Sequence, residues 1–361
     1  MAELDRNSYT PLYMQFYLLL KQIIVTSVPG VHLPPERALC EQYQVDRVTV
    51  RKALQMLADE KLIERRQGRG TRILAVPETP AAPEGSVLFA LYHGAHLVDR
   101  IGEPFYARTM DVLERMLHAK GERMVYSKVR REDNLKDVCD RLMVKGVVMA
   151  GMPDEQLTAQ CASLSVPVVA YNSRINGLPC VLADNENGAG DAATHLYTLG
   201  HRRFGFFNVP QYANSERRLK QFTRTLRDAQ VSEDAIHIEE GDWTELGGYF
   251  AMNRLLETHP DVTAVFAGND SMAIGALKAL HKAGMAVPER MSVVGFDGIT
   301  QSAHTAPPLT TFQVDVNAMA EAALMMLFHI LSGGSCDGMQ TVVSAKFILR
   351  ETTGVCPHRG M

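Results

Sequence analysis

Apolar positions follow three different rhythms along this chain. From Tyr9 to Ile24, Leu12, Phe16, Leu19, Leu20 and Ile23 recur at helical spacing and predict a scaffold helix, ended by Ser27-Val28-Pro29-Gly30. From Pro35 to Tyr43 the same period returns in Ala38, Leu39 and Tyr43, behind a proline pair suited to a helix start. Gln44-Val45-Asp46 reads as a turn. A second short helix, from about Arg47 to Glu60, buries Val50, Ala53, Leu54 and Leu57. Leu62 to Arg66 and Thr71 to Leu74 then read as strands flanking Gln67-Gly68-Arg69-Gly70, which predicts a basic hairpin, or wing.

Periodicity is lost between Val76 and Gly85, a proline-containing stretch that reads as a linker. From Ser86 strands and helices alternate. Strands are expected at 86–92, 123–127, 147–149 and 167–171, with helices at 105–120, 135–143 and 155–163. A second series follows Asp184, with helices at 187–199, 216–229, 246–257 and 272–283 and strands at 204–208, 236–239, 264–267 and 292–296. Such alternation predicts parallel sheets covered on both faces, with ligands at the carboxyl ends of the strands. Two such halves in tandem predict a bilobed α/β body whose cleft closes on a small ligand. The methionine-rich helix 319–331 reads as core or subunit interface.

Charge sharpens the first part of this picture. Residues 1–75 carry 11 Lys and Arg against 8 Asp and Glu, whereas the whole chain has a net charge of −4, so the body is acidic and the head basic. Arg47, Thr49, Arg51 and Lys52 stand at the start of the second short helix, where guanidiniums entering a major groove can bridge guanine acceptors or phosphate oxygens. Arg65, Arg66, Arg69 and Arg72 populate the wing, whose glycines allow close approach to a phosphate or a minor groove. The six cysteines are scattered with no CxxC pair, which argues against a zinc site and a disulfide framework. No secretion signal or membrane-length apolar run is legible, so a cytoplasmic location is expected. His93 and His96 border the expected cleft, but without a third ligand the pair reads as a solvated loop rather than a metal site.

Motifs in order add a resemblance. Pro11-Leu12-Tyr13, Leu33-Pro34-Pro35-Glu36-Arg37, the run Arg47 to Leu54 and Gly68-Arg69-Gly70-Thr71 together resemble the winged helix-turn-helix of GntR-type bacterial transcription factors. Asp46 stands where that family has Ser or Thr and is suited to cap the helix; Pro35 replaces its Ser or Ala. This resemblance implies DNA contacts from Arg37, Arg47, Thr49, Arg51, Arg66, Gln67, Gly68 and Arg69. Over about residues 86–354 the chain resembles LacI-type regulators and periplasmic sugar-binding proteins. The matches are Asp184-Asn185 with Gly188, Leu199-Gly200-His201-Arg202-Arg203, Gly268-Asn269-Asp270, Val293 to Asp297, and Pro307 to Thr311.

The second resemblance implies effector contacts from Arg218, Asn269 and Asp297, with Trp243, beside Gly241-Asp242, as a stacking surface. The expected organisation is a winged helix-turn-helix at 1–75, a linker at 76–85 and a bilobed effector-binding and dimerisation body at 86–361. A homodimeric repressor of operator DNA, controlled by a sugar or sugar derivative, is what the combination implies. No cofactor, metal, membrane or catalytic role is expected. Two other readings remain at this point, a sugar-binding transport component and a regulator that answers to no ligand. An enzyme fused to the head lacks a recognisable cofactor-lysine motif.

Overall fold

The structure, a computed structural model, describes residues 12–25, 30–66, 70–74, 85–93, 103–151, 154–210 and 212–357. Contacts divide the chain into two units, one of residues 1–84 with 328–336, the other of 85–327 with 337–361. The expected linker falls almost wholly outside the described residues.

In the first unit, α1 (Leu12–Val25) buries Phe16, Tyr17, Leu20 and Ile24 and packs on α3. After β1 (His32–Leu33) come α2 (Glu36–Tyr43) and α3 (Arg47–Asp59). Gln44 closes α2 at a φ of 52°, and Asp46 opens α3 by accepting the Thr49 N–H at 2.7 Å. That is the capping role expected of Asp46, and it supplies the acceptor that the first N–H groups of a helix lack. The wing strands β2 (Ile63–Arg66) and β3 (Gly70–Ile73) pair antiparallel, and β1 adds to the outer side of β3. Residues 328–336 reach this unit through His329, whose ring meets Tyr17 edge-on at 5.1 Å. Tyr17 Oη donates to Glu60 Oε1 at 2.6 Å, and Lys21 Nζ holds the other oxygen at 2.9 Å.

The second unit opens with β4 (Ser86–His93), α4 (Pro104–Ala119), β5 (Met124–Arg130), α5 (Leu135–Arg141), β6 (Val144–Ala150), α6 (Glu155–Ser163), β7 (Val168–Tyr171) and β8 (Cys180–Ala183). Every residue of β6 and β7 is buried, as a sheet covered on both faces demands. The chain then builds its second lobe from α7 (Asn185–Thr198), β9 (Phe204–Asn208), α8 (Ala213–Asp228), β10 (Ile236–Glu240), α9 (Glu245–Thr258), β11 (Ala264–Ala267), α10 (Asp270–Lys282) and β12 (Ser292–Val294). These strands form a parallel sheet in the order β10-β9-β11-β12. Last come β13 (Thr311–Val314), α11 (Val316–Leu331), β14 (Gln340–Val343) and β15 (Ala345–Ile348).

β14 returns to pair in parallel with β8, completing the first lobe's order β14-β8-β7-β6-β4-β5. β8, β13, β14 and β15 have four residues each and were not expected from the sequence. Runs that short carry no readable period, and β14 and β8 find each other only across about 160 residues of chain. The strand expected at 292–296 stops at Val294.

Two glycines set the closest helix contact of the second lobe. A β-carbon on Gly275 would meet the Glu245 carbonyl oxygen at 1.8 Å, and one on Gly248 the Met272 carbonyl oxygen at 2.1 Å. α9 and α10 therefore pack backbone to backbone, which draws their N-terminal ends together. No helix among the described residues is long and apolar enough to cross a membrane.

Candidate functional site

The first unit presents one basic surface. Arg47 and Arg51 are exposed on the first turns of α3. Arg51 Nε donates to Glu36 Oε2 at 3.0 Å, and Arg65 Nη2 to the other Glu36 oxygen at 2.5 Å, so one carboxylate holds a helix arginine and a wing arginine together. Arg37 pairs with Glu41 at 3.0 Å on the exposed side of α2. The Thr49 N–H keeps the Asp46 carboxyl below its ordinary range. Thr49 departs from expectation: it is only 8% exposed, because its position turns it inward beside buried Val50. The outward side chains of that turn are Arg47 and Val48. Arg66 lies in β2, while Gln67, Gly68 and Arg69 lie outside the described residues.

In the second unit, a cavity of about 40 Å³ is lined from both lobes, by Glu103, Asn172, Ser173, Trp243, Asn269 and Asp297 among others, with Arg218 in its wall. The four residues expected to hold an effector thus line one cavity. Arg218, on α8, is 2% exposed, and each of its three nitrogens has a partner. Its Nε donates to Asn185 Oδ1 at 2.7 Å, Nη1 donates to the Gly268 carbonyl, and Nη2 lies 3.6 Å from Asp297 Oδ1. The guanidinium carbon sits 3.6 Å from the Phe296 ring centroid. Burial lowers this guanidinium to about 10, with Asp297 and Asp270 acting in the opposite direction, so it stays charged at neutral pH.

Asp297 adopts a φ of 111°, a costly backbone for a residue with a β-carbon. Its main chain is fixed on both sides, its N–H donating to Phe312 O at 2.9 Å and its carbonyl accepting from Val314 N at 3.1 Å. Asn269 caps α10 through Oδ1, which accepts the Met272 N–H at 2.9 Å, and its Nδ2 donates to Trp243 O at 3.1 Å. It lines the cavity chiefly as the residue that holds the Trp243 loop. Trp243 is itself 7% exposed and packs edge-on to Tyr212 at 5.7 Å, within a core cluster that includes Met272. The residue expected as a stacking surface is thus mostly buried and lines the cavity.

Three polar atoms on lining residues have no hydrogen-bond partner in the structure: Asn172 Oδ1, Ser173 Oγ and Trp243 Nε1. Buried polar atoms are rarely left so, and here they surround empty space. No motif in the sequence points to Asn172 and Ser173, although they follow β7 directly, at the carboxyl edge where a parallel sheet places its ligands. Asn172 takes a φ of 53°, a conformation asparagine tolerates well. The side chain of His93 and all of His96 fall outside the described residues, and no cluster of three metal-ligating side chains occurs among those described.

Residues 12–73 match the model of bacterial regulatory proteins of the gntR family, and residues 193–353 that of the periplasmic binding protein-like domain. The HTH-type transcriptional regulator CelR of Thermobifida fusca is 30% identical over 260 residues, covering 69% of this chain and 76% of that protein. The chain belongs to the LacI-type transcriptional regulators. The arabinose metabolism transcriptional repressor of Geobacillus stearothermophilus is 27% identical over 364 residues, covering 93% of this chain and 97% of that protein. A solved complex of CelR with cellobiose is similar to this LacI-type regulator with a TM-score of 0.66 and 25% identity, over 86% of this chain and 92% of that chain. It is a DNA-binding transcriptional regulator with an α/β periplasmic-binding-like body.

Proposed function

We propose that the cavity binds a neutral polyhydroxylated effector, a sugar or close derivative, and that its occupancy changes the affinity of the head for operator DNA. The carrying observation is the set of three unpartnered polar atoms, on Asn172, Ser173 and Trp243, around a cavity that also holds the Arg218–Asp297 pair. Sugar hydroxyls both donate and accept, so they suit an amide oxygen, a hydroxyl, an indole N–H and a carboxylate at once. Net charge argues the class further. Among the described lining residues Arg218 is the one cation, already held by Asn185, Gly268 and Asp297, and Asp297 and Glu103 add negative charge, which disfavours a phosphate or carboxylate. The relatives named for arabinose metabolism and solved with cellobiose support the same reading.

On the DNA side, Arg47 and Arg51 contact bases or phosphates from α3, while Arg37, Arg66, Gln67, Gly68 and Arg69 hold the backbone. A homodimer follows from the two-fold symmetry of paired half-sites. The effector acts by favouring one arrangement of the lobes, and the response is release of DNA, as for a repressor. The cavity serves binding, not catalysis. Calorimetric titration of the purified chain with neutral sugars and their phosphates tests this, since neutral sugars alone are expected to bind. Preferential binding of a phosphorylated sugar would contradict it.

A further inference from the structure

The outer face of α3 carries more information than its cations. Thr49 turns inward, Arg51 is held by Glu36 at 3.0 Å, and Lys52 Nζ sits 3.6 Å from the centroid of the Tyr13 ring. Val48 is different. It is 76% exposed, the most exposed large apolar side chain among the described residues. Valine is a mediocre helix former, so an outward position in the first turn gains nothing from it in the unbound protein. No large exposed apolar side chain accompanies it on α3 among the described residues, and its outward neighbours Arg47 and Arg51 are cationic, which suits a polyanion rather than an apolar protein surface. The turn is rigid as well, because Asp46 caps it through the Thr49 N–H at 2.7 Å. A β-branched side chain on a fixed first turn offers two methyl groups in a single orientation.

We propose that Val48 is a specificity-determining residue that reads thymine, its methyl groups packing on the C5-methyl group exposed in the major groove. That methyl is the one apolar feature of a base edge, and apolar side chains recognise it. Each operator half-site therefore carries a thymine opposite Val48, next to the base or phosphate met by Arg47. The proposal rests on α3 entering the major groove, as in the function proposed above.

The test uses the full chain and duplexes selected by it from a random-sequence pool. Each thymine of a selected half-site is replaced in turn by deoxyuridine, which removes the methyl and keeps the base pair, and affinity is measured by anisotropy at fixed salt. One thymine per half-site is expected to show an affinity loss of about fourfold, the weight of one buried methyl group. In Val48→Ala the same replacement is expected to change affinity less than about twofold, since the two changes remove one shared contact. Val48 is exposed, so the variant folds as its parent does. If uracil costs nothing at every position, or costs the same in parent and variant, the role of Val48 is refuted while DNA binding stands. A chain that enriches no duplex overturns the DNA-reading role itself, and this proposal with it.

Discussion

Asp297 Oδ1 lies 3.6 Å from Arg218 Nη2, so two charged groups of the candidate effector site neutralise one another. An effector hydroxyl that bonds Asp297 enters an arrangement already set by the Asn185 and Gly268 contacts of the same guanidinium. Such a pair is asymmetric under substitution. Arg218→Met leaves a carboxylate, an amide oxygen and a carbonyl without a donor, and is expected to cost about 3 to 5 kcal/mol of stability. Asp297→Asn keeps an acceptor and a hydrogen-bonding amide, and is expected to cost about 1 kcal/mol. Urea unfolding of the two variants checks the order; equal losses would show that the pair does not organise this site.

Trp243 gives a prediction of opposite signs. Its indole N–H is buried without a partner, so Trp243→Phe removes an unsatisfied donor and keeps an aromatic ring in the wall. The unliganded variant is expected to lose less stability than the smaller ring alone implies, while effector affinity falls by about 1 kcal/mol or more, the value of the hydrogen bond the ligand supplies. Because Trp243 is the only tryptophan, the parent reports binding by its own emission. That emission is expected to be blue-shifted before ligand and to change saturably with it. Calorimetry on the variant and fluorescence on the parent measure the two effects.

The division into a basic head and two α/β lobes was legible because long helices and fully buried strands keep their period over many residues. The candidate site was half legible. Arg218, Asn269 and Asp297 were found through motif resemblance, while Asn172 and Ser173 carry no motif and declare themselves only when β7 puts them beside the cavity. The sequence could not show that Thr49 points inward and Val48 outward, since both lie within one turn and the choice depends on how α3 seats on α1. Nor could it show that residues 328–336 join the first unit, for that contact spans more than three hundred residues, from Tyr17 to His329.

Acidification should weaken the second lobe through His201. Its Nδ1 faces Thr263 Oγ1 at 2.9 Å, its Nε2 faces Ser292 Oγ at 3.0 Å and the Gly354 carbonyl at 3.1 Å, and burial lowers the imidazole to about 4. An unfolded histidine takes its proton near pH 6.5, so the unfolded chain binds more protons than the folded one between about 6.5 and about 4. Stability from this group is complete above the upper limit and is lost as pH falls through the window, by roughly 3 kcal/mol in total. His201→Gln is expected to be less stable at pH 7 and to lose less between pH 7 and 4.5 than its parent. Urea unfolding at both pH values measures the difference.

In the first unit, Tyr17 Oη donates to Glu60 Oε1 at 2.6 Å beside buried His329. Tyr17→Phe leaves that carboxylate one donor short and is expected to destabilise the unit by about 1 to 3 kcal/mol. Hydrogen exchange should therefore quicken in α1 and α3 and stay unchanged in β9 and β11. Equal quickening throughout would place the loss elsewhere.

The central claim, that one cavity controls one DNA-reading surface, is tested most directly by a single titration. Anisotropy of a labelled, selected duplex is followed against protein concentration at fixed salt, with and without a sugar that changes Trp243 emission, for the parent and for Asp297→Asn. The parent midpoint is expected to move by about tenfold on adding the sugar, a coupling of about 1.4 kcal/mol, and the variant midpoint to stay where it was at the same sugar concentration. A variant that shifts as far as its parent, or a parent that binds the sugar and keeps its midpoint, would contradict the account.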